Sequence, residues 1–416
     1  MSMFFLFLGQ WYYLAEAQRG FVLRSFRAFL LLFFVWILIV WSLVPPVVNK
    51  PNDDGSAGRV FTLVSTVTYE NRNSQGDAWV LSDDDKVVGM FMNNSWQTVY
   101  LMNASSPLER FEADDDSNLV AYVDFPMTEL EPHENVTYQI CYRIVLKPRV
   151  LSPIFVNVSG SLMDVPEGLK AVYCSPGFWQ SNLSLMRDLA YSVAGNETNV
   201  LSILSDYILW ITRNIEYWSF ETPRFPNETL FGRTGDCDDQ ANLLIGLCRA
   251  VGIPAFLQIG CIYMPERSST SNYWEGLWTS SLTDIGWHGW AMVYVPPWGW
   301  LPVDLTYSRG NSSDPLSHIS SSAIITDPTV QYMNITVSNY VVESRQFKQI
   351  VVSGMHRIIT SDVLVEEVQD EEIESNMSVF PRFSVFLLAL SCAACVVVPF
   401  FVFFRRVRVW ERVNAY

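Results

Sequence analysis

The chain has 416 residues, a formal net charge of −16, 50% hydrophobic residues and 14% aromatic residues. That length exceeds one ordinary core and allows two domains with further segments. The acidic balance, with no basic stripe, excludes a phosphate-gripping surface, so no nucleic-acid partner is expected.

Residues 1–27 contain Arg19, Arg24 and Arg27 and precede an uncharged apolar run at 28–48. A second uncharged run at 383–404 precedes Arg405, Arg406, Arg408 and Arg412 in the tail 405–416. Each run has the length of a bilayer-spanning helix. The arginines place both termini in the cytoplasm and the intervening chain outside, a two-pass, membrane-anchored arrangement at the cell membrane. The alternative for the first run is a cleaved signal peptide, but it lacks a small-x-small cleavage site, and the second run alone still anchors the chain. Acceptor triplets for N-glycosylation start at Asn93, Asn103, Asn135, Asn157, Asn182, Asn196, Asn227, Asn311, Asn334 and Asn376. All lie between the two runs, as expected of an exported glycoprotein segment.

After a short polar spacer, residues 55–165 hold short segments rich in Val, Thr, Tyr and Phe, separated by Asn, Asp, Gly, Ser or Pro clusters. That punctuation predicts an all-β sandwich domain. The acidic runs at 83–85 and 114–116 lack the oxygen-ligand spacing of a calcium loop and are expected to be solvated turns.

At 166 the periodicity changes, opening a second domain over 166–350. Helices are expected over 184–195 and 200–218, the latter with Leu201, Leu204, Ile208, Ile211 and Ile215 at helical spacing. A third should run from Cys237 to Ala250, with Ala241, Leu244, Ile245 and Cys248 on one face and Gly252 and Pro254 as its stop. Strands follow at 255–263, 289–296 and 299–306, the last two joined by a PPWGW turn into an antiparallel hairpin. Residues 264–286 form an insert expected to make a rim or lid, with Tyr273, Trp274 and Trp278 available to stack on substrate. The stretches 322–327, 334–341 and 347–354 suggest one or two further strands. Residues 351–382 close with a C-terminal strand and an acidic stalk, EEVQDEEIES. Helices followed by antiparallel strands define an α+β class.

The seven cysteines include Cys392 and Cys395 in the second apolar run. The other five, Cys141, Cys174, Cys237, Cys248 and Cys261, allow at most two bridges and leave a thiol over. Cys141 with Cys174 is the expected pair, and Cys248 with Cys261 a second option.

Cys237 stands at a helix start in GDCDDQ, where unpaired N–H groups and the dipole favour thiolate. Asp236, Asp238 and Asp239 oppose that, so an activating histidine is needed. His133 and His356 lie in polar β-type sequence and His318 in a Ser-rich loop, and His318 and His356 read as exposed. His288 lies between Trp287 and Trp290 at a strand start. The hairpin returns Asp304 to within a residue or two of His288, which supplies a nucleophile, a base and an orienting carboxylate. Against this stand two simpler readings of Cys237: half of a disulfide, or a metal ligand, the latter without any C-x-x-C or H-x-x-x-H spacing. The tryptophans around His288 read as core and groove walls.

The segments RTGDCDDQANLLIGLCRAVGIPAFLQIGCIY and WHGWAMVYVPPWGWLPVDLTY resemble the transglutaminase-like (papain-fold) superfamily. The matching parts are G-D-C with its helix, the R-A-x-G-I-P exit, the H-x-W strand and the W-x-P-x-D strand, across about residues 165–310. The resemblance implies a papain-like transglutaminase core, here preceded by the β-sandwich and flanked by two transmembrane helices. It also implies a Cys237–His288–Asp304 triad acting in amide acyl transfer; no cofactor and no metal ligand set is expected from the sequence, and a need for calcium stays open. The Cys237 backbone N–H is the first oxyanion donor, Tyr217 or Trp218 the candidate second, and Trp287 and Trp290 candidate groove residues. The architecture is similar to exported, often archaeal, members. The expected substrate is a surface protein or wall peptide. Peptidase, isopeptidase, deamidase and crosslinking activities stay open, as does a non-catalytic envelope module on the same fold.

Overall fold

The computed structural model describes residues 58–74, 76–308 and 313–367. Its first part is β-rich: β1 (Arg59–Asn71), β2 (Trp79–Val80), the one-turn helix α1 (Asp83–Lys86), β3 (Val87–Gly89), β4 (Gln97–Ala104), β5 (Leu108–Ala113), β6 (Leu119–Val123), β7 (Glu129–Leu130) and β8 (Asn135–Leu146). A helical stretch follows: α2 (Glu167–Tyr173), α3 (Ser184–Ala194), α4 (Val200–Asn214), β9 (Glu216–Tyr217), α5 (Pro226–Gly232), β10 (Thr234–Gly235) and α6 (Cys237–Ala250). The chain then forms β11 (Ala255–Tyr273), β12 (Trp278–Val295), β13 (Gly299–Val303), α7 (Ser317–Ser320), α8 (Ala323–Thr326), β14 (Thr329–Ile335), α9 (Tyr340–Gly354) and β15 (His356–Glu366).

The class is α+β as expected, but the two predicted domains share their principal sheet. Its strand order is β14-β11-β12-β15-β1-β8-β4, with β13 also paired to β12. Pairing is antiparallel throughout except between β12 and β15, which run parallel from Trp278–Ile358 to Thr283–Val363. A smaller β3-β6-β5 sheet packs its apolar side chains with those of β1 and β8, strands of a sheet that continues into the helical half of the chain. The physical cause is the 264–286 insert. It is no lid: its mostly polar residues pair with one another and prolong β11 and β12 into a long hairpin that reaches β15. Trp274 is buried, with its ring centroid 5.0 Å from Trp278 and 6.0 Å from Phe347. Tyr273 packs on Trp278 at 4.8 Å. These rings are core rather than substrate platforms.

On the other half, α3, α4 and α6 pack over β11, β12 and β13. Leu201, Leu204, Tyr207, Ile208 and Ile211 of α4 meet Leu243, Leu244 and Leu247 of α6, and the layer closes on Leu257, Ala291, Val293 and Val303. Each such aliphatic side chain contributes about 1.5–3 kcal/mol on burial. Helix α6 is enclosed all round, and even its Arg249 is buried. The Arg249 guanidinium donates to the carbonyls of Ala255, Ser175 and Thr336 and lies over the Trp179 ring at 4.7 Å. Burial without a carboxylate partner lowers its pKa to about 9.

Several local expectations are corrected. Of the stretch 334–341, residues 334–335 end strand β14 as expected, but 340–341 and all of 347–354 belong to helix α9, which starts at an Asn339 N-cap accepting from the Val342 N–H and ends at left-handed Met355. The valines at both of its ends imitate strands, while the polar ESRQ centre suits a half-exposed helix. Residues 323–326 form a helical turn, α8. Asp116 is no solvated turn residue: its carboxylate accepts from the backbone N–H groups of Thr336, Val337 and Ser338 and from the Ser338 hydroxyl. Asp85 is buried as the return arm of a capping box with Ser82. Cys141 and Cys174 are free thiols, one in mid-strand on β8 and the other capping α2. Cys248 and Cys261 are also free and buried.

Of the glycosylation candidates, Asn93, Asn103, Asn135, Asn157, Asn182 and Asn196 are exposed. Asn334 is committed inside the sheet, accepting from Gln258, and Asn227 lies half-buried in the first turn of α5. The runs 28–48 and 383–404, their arginine flanks, the segments 1–27 and 405–416, the stalk past 367, Asn311 and Asn376 lie outside the described residues. Among the described residues no helix is long and apolar enough to cross a membrane.

The sheet tolerates no side chain at Gly260. A β-carbon there would collide with the Val330 carbonyl on β14 and stand 2.7 Å from the Trp290 ring. Gly260→Ala should therefore lower stability by about 1–3 kcal/mol, the usual cost of overpacking, read from urea unfolding midpoints.

Candidate active site

The site is assembled at the N-terminus of α6. Helix α5 ends on left-handed Arg233, and β10 then pairs in parallel with β9, aligning Gly235 with Tyr217. Asp236 is the N-cap and Cys237 the first helical residue. Each first-turn acid has a local duty. Asp239 Oδ1 accepts from the Arg224 backbone N–H at 2.7 Å. Asp238 Oδ2 accepts from the Tyr340 hydroxyl at 2.8 Å, and that hydroxyl accepts from Asn242 at 2.6 Å. The Gln240 amide donates to the Gly235 carbonyl, locking the turn before the cysteine.

This helix end presses on β12 at Gly289. A β-carbon on Gly289 would lie 3.0 Å from the Asp238 β-carbon and 3.4 Å from its α-carbon. The Gly289 N–H thereby faces the Cys237 sulfur, one residue beyond His288. His288 is buried, and its Nε2 lies 3.0 Å from Asp304 Oδ1. The ring N–H is not aligned for a straight hydrogen bond, a misalignment common in catalytic sites before substrate tightens them. The hairpin supplies this approach: β12 and β13 pair as far as Ala291–Val303, and Asp304 is the next residue.

Asp304 is fully buried. Its Oδ1 accepts from the N–H groups of Thr306 and Tyr307, and its Oδ2 from that of Ala323. Burial pushes its pKa up, but His288 and these N–H donors outweigh burial and hold it below the ordinary carboxylate value. His318, expected to be exposed, is buried behind Asp304. Its Nδ1 lies 2.9 Å from the Asp304 carbonyl, and its own carbonyl accepts from the Asp304 N–H. His356 is half-buried, stacked on Trp79 at 3.9 Å, and burial lowers its pKa.

The electrostatics oppose a resting thiolate. Burial and then the charges of Asp238 and Asp236 raise the Cys237 pKa well above the ordinary thiol value, and the Gly289 and Asp238 N–H groups offset only part of this. Burial and mutual repulsion also raise Asp236 and Asp239, so this acidic end retains protons near neutrality. The oxygens of Asp236, Asp238 and Asp239 converge within 4.8 Å and are the group here able to share a cation. Acidic clusters often occur without an ion, and Asp238 and Asp239 each already accept from a protein donor.

The remaining predicted residues divide. Tyr217 is exposed beside the thiol. Burial of its hydroxyl, followed by the Cys237, Asp236 and Asp238 charges, raises it to about 12. Trp218 is exposed too, but its backbone N–H already donates to Gly235. Trp290 is buried, with its ring centroid 5.9 Å from that of His288, as core rather than groove wall. Trp287 projects to the opposite face of β12 from His288, as successive strand residues do, and its indole N–H donates to Asp362. Tyr307, 6.0 Å from the His288 ring, and His318 carried no signal beyond their place near Asp304.

A cysteine at a helix start, set against a strand with a carboxylate-held histidine, defines the arrangement of thiol-dependent acyl-transfer proteins. Residues 187–305 match the profile of the transglutaminase-like superfamily, so the chain carries a transglutaminase-like domain from α3 to just beyond Asp304. Among solved structures it is similar to a candidate cysteine protease from Cytophaga hutchinsonii, at 18% identity and TM-score 0.43, over 75% of this chain and 92% of that one. It is also similar to the periplasmic domain of TgpA from Pseudomonas aeruginosa, at 14% identity and TM-score 0.28, over 65% of this chain and 92% of that one. No curated protein matches the chain significantly.

The lowered Asp304 pKa has a pH consequence. A carboxyl depressed in the folded state stabilises it above the unfolded value of about 3.9, and that stability is lost as pH falls through the lower folded value. Asp304→Asn should lower stability at neutral pH and flatten this part of the acid limb, measured by urea unfolding between about pH 3 and pH 6.

Proposed function

We propose that this chain is a membrane-anchored cell-surface enzyme that transfers acyl groups from protein or wall-peptide amides through Cys237, with His288 as base and acid and Asp304 as its orienting partner. The observation that carries the reading is the buried Asp304 carboxylate 3.0 Å from His288, beside the strand residue that faces the Cys237 sulfur. The exported setting rests on the apolar runs at 28–48 and 383–404, their arginine flanks and the acceptor asparagines between them.

Because the resting thiol is held protonated, the reaction begins with proton removal. His288 takes the Cys237 proton through Nδ1 as the sulfur attacks the amide carbonyl, forming a C–S bond and an oxyanion. The Cys237 backbone N–H at the helix start is the first donor to that oxygen. The Tyr217 hydroxyl, kept protonated beside the thiol, is the second. Collapse breaks the C–N bond, and the imidazolium returns its proton to the leaving amine. Water or an acceptor amine then attacks the thioester as His288 removes its proton, the C–S bond breaks, and the imidazolium returns that proton to the sulfur, restoring the thiol. Asp304 fixes the His288 tautomer and stabilises the imidazolium.

The high thiol pKa also suits a second reading, a non-catalytic envelope module in which Cys237 is inert. Alkylation separates the two. Iodoacetamide should modify Cys237 at about pH 8; His288→Ala should slow this about tenfold or more, and Asp238→Asn should speed it by removing a charge that raises the thiol. A Cys237 indifferent to both changes ends the enzyme reading. Incubating active chain and Cys237→Ala with envelope proteins and an added amine, then weighing the products, distinguishes amine incorporation, deamidation and cleavage.

A further inference from the structure

The face of β12 carrying Trp287 borders a cavity away from the thiol. It has a volume of about 210 Å³ and lies between β1, β8 and β15 of the large sheet and β3 of the small one. One charged group lines it, Asp362 on β15, which is 7% exposed. Asp362 Oδ1 accepts from the Ser65 hydroxyl at 2.6 Å and Oδ2 from the Trp287 indole N–H at 2.9 Å. Neither donor is charged, and among the described residues no Lys, Arg or His forms an ion pair with it. A buried carboxylate costs several kcal/mol to desolvate and is retained in proteins where a cation or a function compensates.

The walls around it are aromatic. Phe91 contacts Tyr332 at 4.8 Å, Tyr142 at 5.1 Å and Trp287 at 6.2 Å between ring centroids, and Tyr332 contacts Trp287 at 5.3 Å. Such ring faces attract cations. Trp287 is 37% exposed, an unusual state for so large a ring, and with the partly exposed Val67 and Val87 it marks an opening to solvent. The cavity falls below the usual range for drug-sized ligands and suits a short chain with a compact head. An ammonium on an alkyl stem fits it better than the broad planar guanidinium.

We propose that this cavity is a binding site for a primary alkylammonium, a lysine side chain or a free aliphatic diamine. The ammonium hydrogen-bonds to Asp362, and the stem lies along Trp287, Phe91 and Tyr332. The site is independent of the thiol chemistry, since Trp287 and His288 project to opposite faces of β12, and it stands or falls apart from the enzyme reading.

The test is calorimetric titration of the full chain with 1,5-diaminopentane, with Nα-acetyl-lysine methylamide and with the neutral Nα-acetyl-norleucine methylamide. Saturable binding of either amine, absent for the norleucine compound, is expected; the amine that binds tells whether the source is a free diamine or a protein lysine. Asp362→Asn should weaken binding about tenfold or more. Trp287→Phe, which keeps a ring but removes the donor to Asp362, should weaken it less and tests the site if Asp362→Asn fails to fold by circular dichroism. No saturable binding of either amine, equal binding of the norleucine compound, or affinity unchanged in the folded variants overturns the proposal.

Discussion

The structure depends on one close approach, the first turn of α6 against β12 at Gly289. A β-carbon there would lie 3.0 Å from that of Asp238, so any larger residue requires helix or strand to give by a few tenths of an ångström. Helix α6 is enclosed on all sides by α3, α4 and the sheet, so it cannot retreat without opening the apolar layer around Leu243, Leu244 and Leu247. The contact therefore fixes both the position of Cys237 and the height at which β12 passes it. From that height the β12–β13 hairpin determines where Asp304 arrives, and the backbone donors of residues 306, 307 and 323 hold the carboxylate there.

The same strand joins the two halves of the molecule. Over residues 278–283 β12 pairs with β15, and over 291–295 it pairs with β13. One continuous strand thus carries core aromatics at its start, Trp287 and His288 in the middle and the hairpin at its end. Movement between the halves would have to break main-chain pairing on β12, which makes the sandwich a rigid support for the site rather than a tethered neighbour.

The site was more legible than the fold around it. Cys237 and Asp304 lie at element boundaries marked by strong local signals, an acidic cap before an apolar helix and a PPWGW turn whose register counts back to Asp304. His288, expected at a strand start, lies well inside β12, which the insert extends back to Trp278. The 264–286 insert was opaque because Ser, Thr and Asp on an exposed strand arm read as loop; only pairing with β15, far along the chain, makes it sheet. Helix α9 was opaque because Val341, Val342, Ile350, Val351 and Val352 favour strands, and tertiary packing with its Asn339 cap overrides them. The Asp116 anchor and buried His318 are long-range facts, since their partners lie over 200 and 14 residues away.

The acids around Cys237 acquire a sense from this geometry. At an ordinary helix start, carboxylates stabilise the dipole. Here three of them share a partly buried corner with a thiol: burial and neighbouring charge raise Asp236 and Asp239, and burial with the adjacent charges keeps the cysteine neutral at rest. A nucleophile tuned in this way cannot draw its reactivity from the helix. On the proposed reading it draws it from His288, which lies 3.0 Å from a carboxylate held below its ordinary value despite complete burial. On that reading the dependence runs from Asp304 through His288 to Cys237, and a thiol held protonated stays quiet toward oxidants until a carbonyl is in place to receive the sulfur.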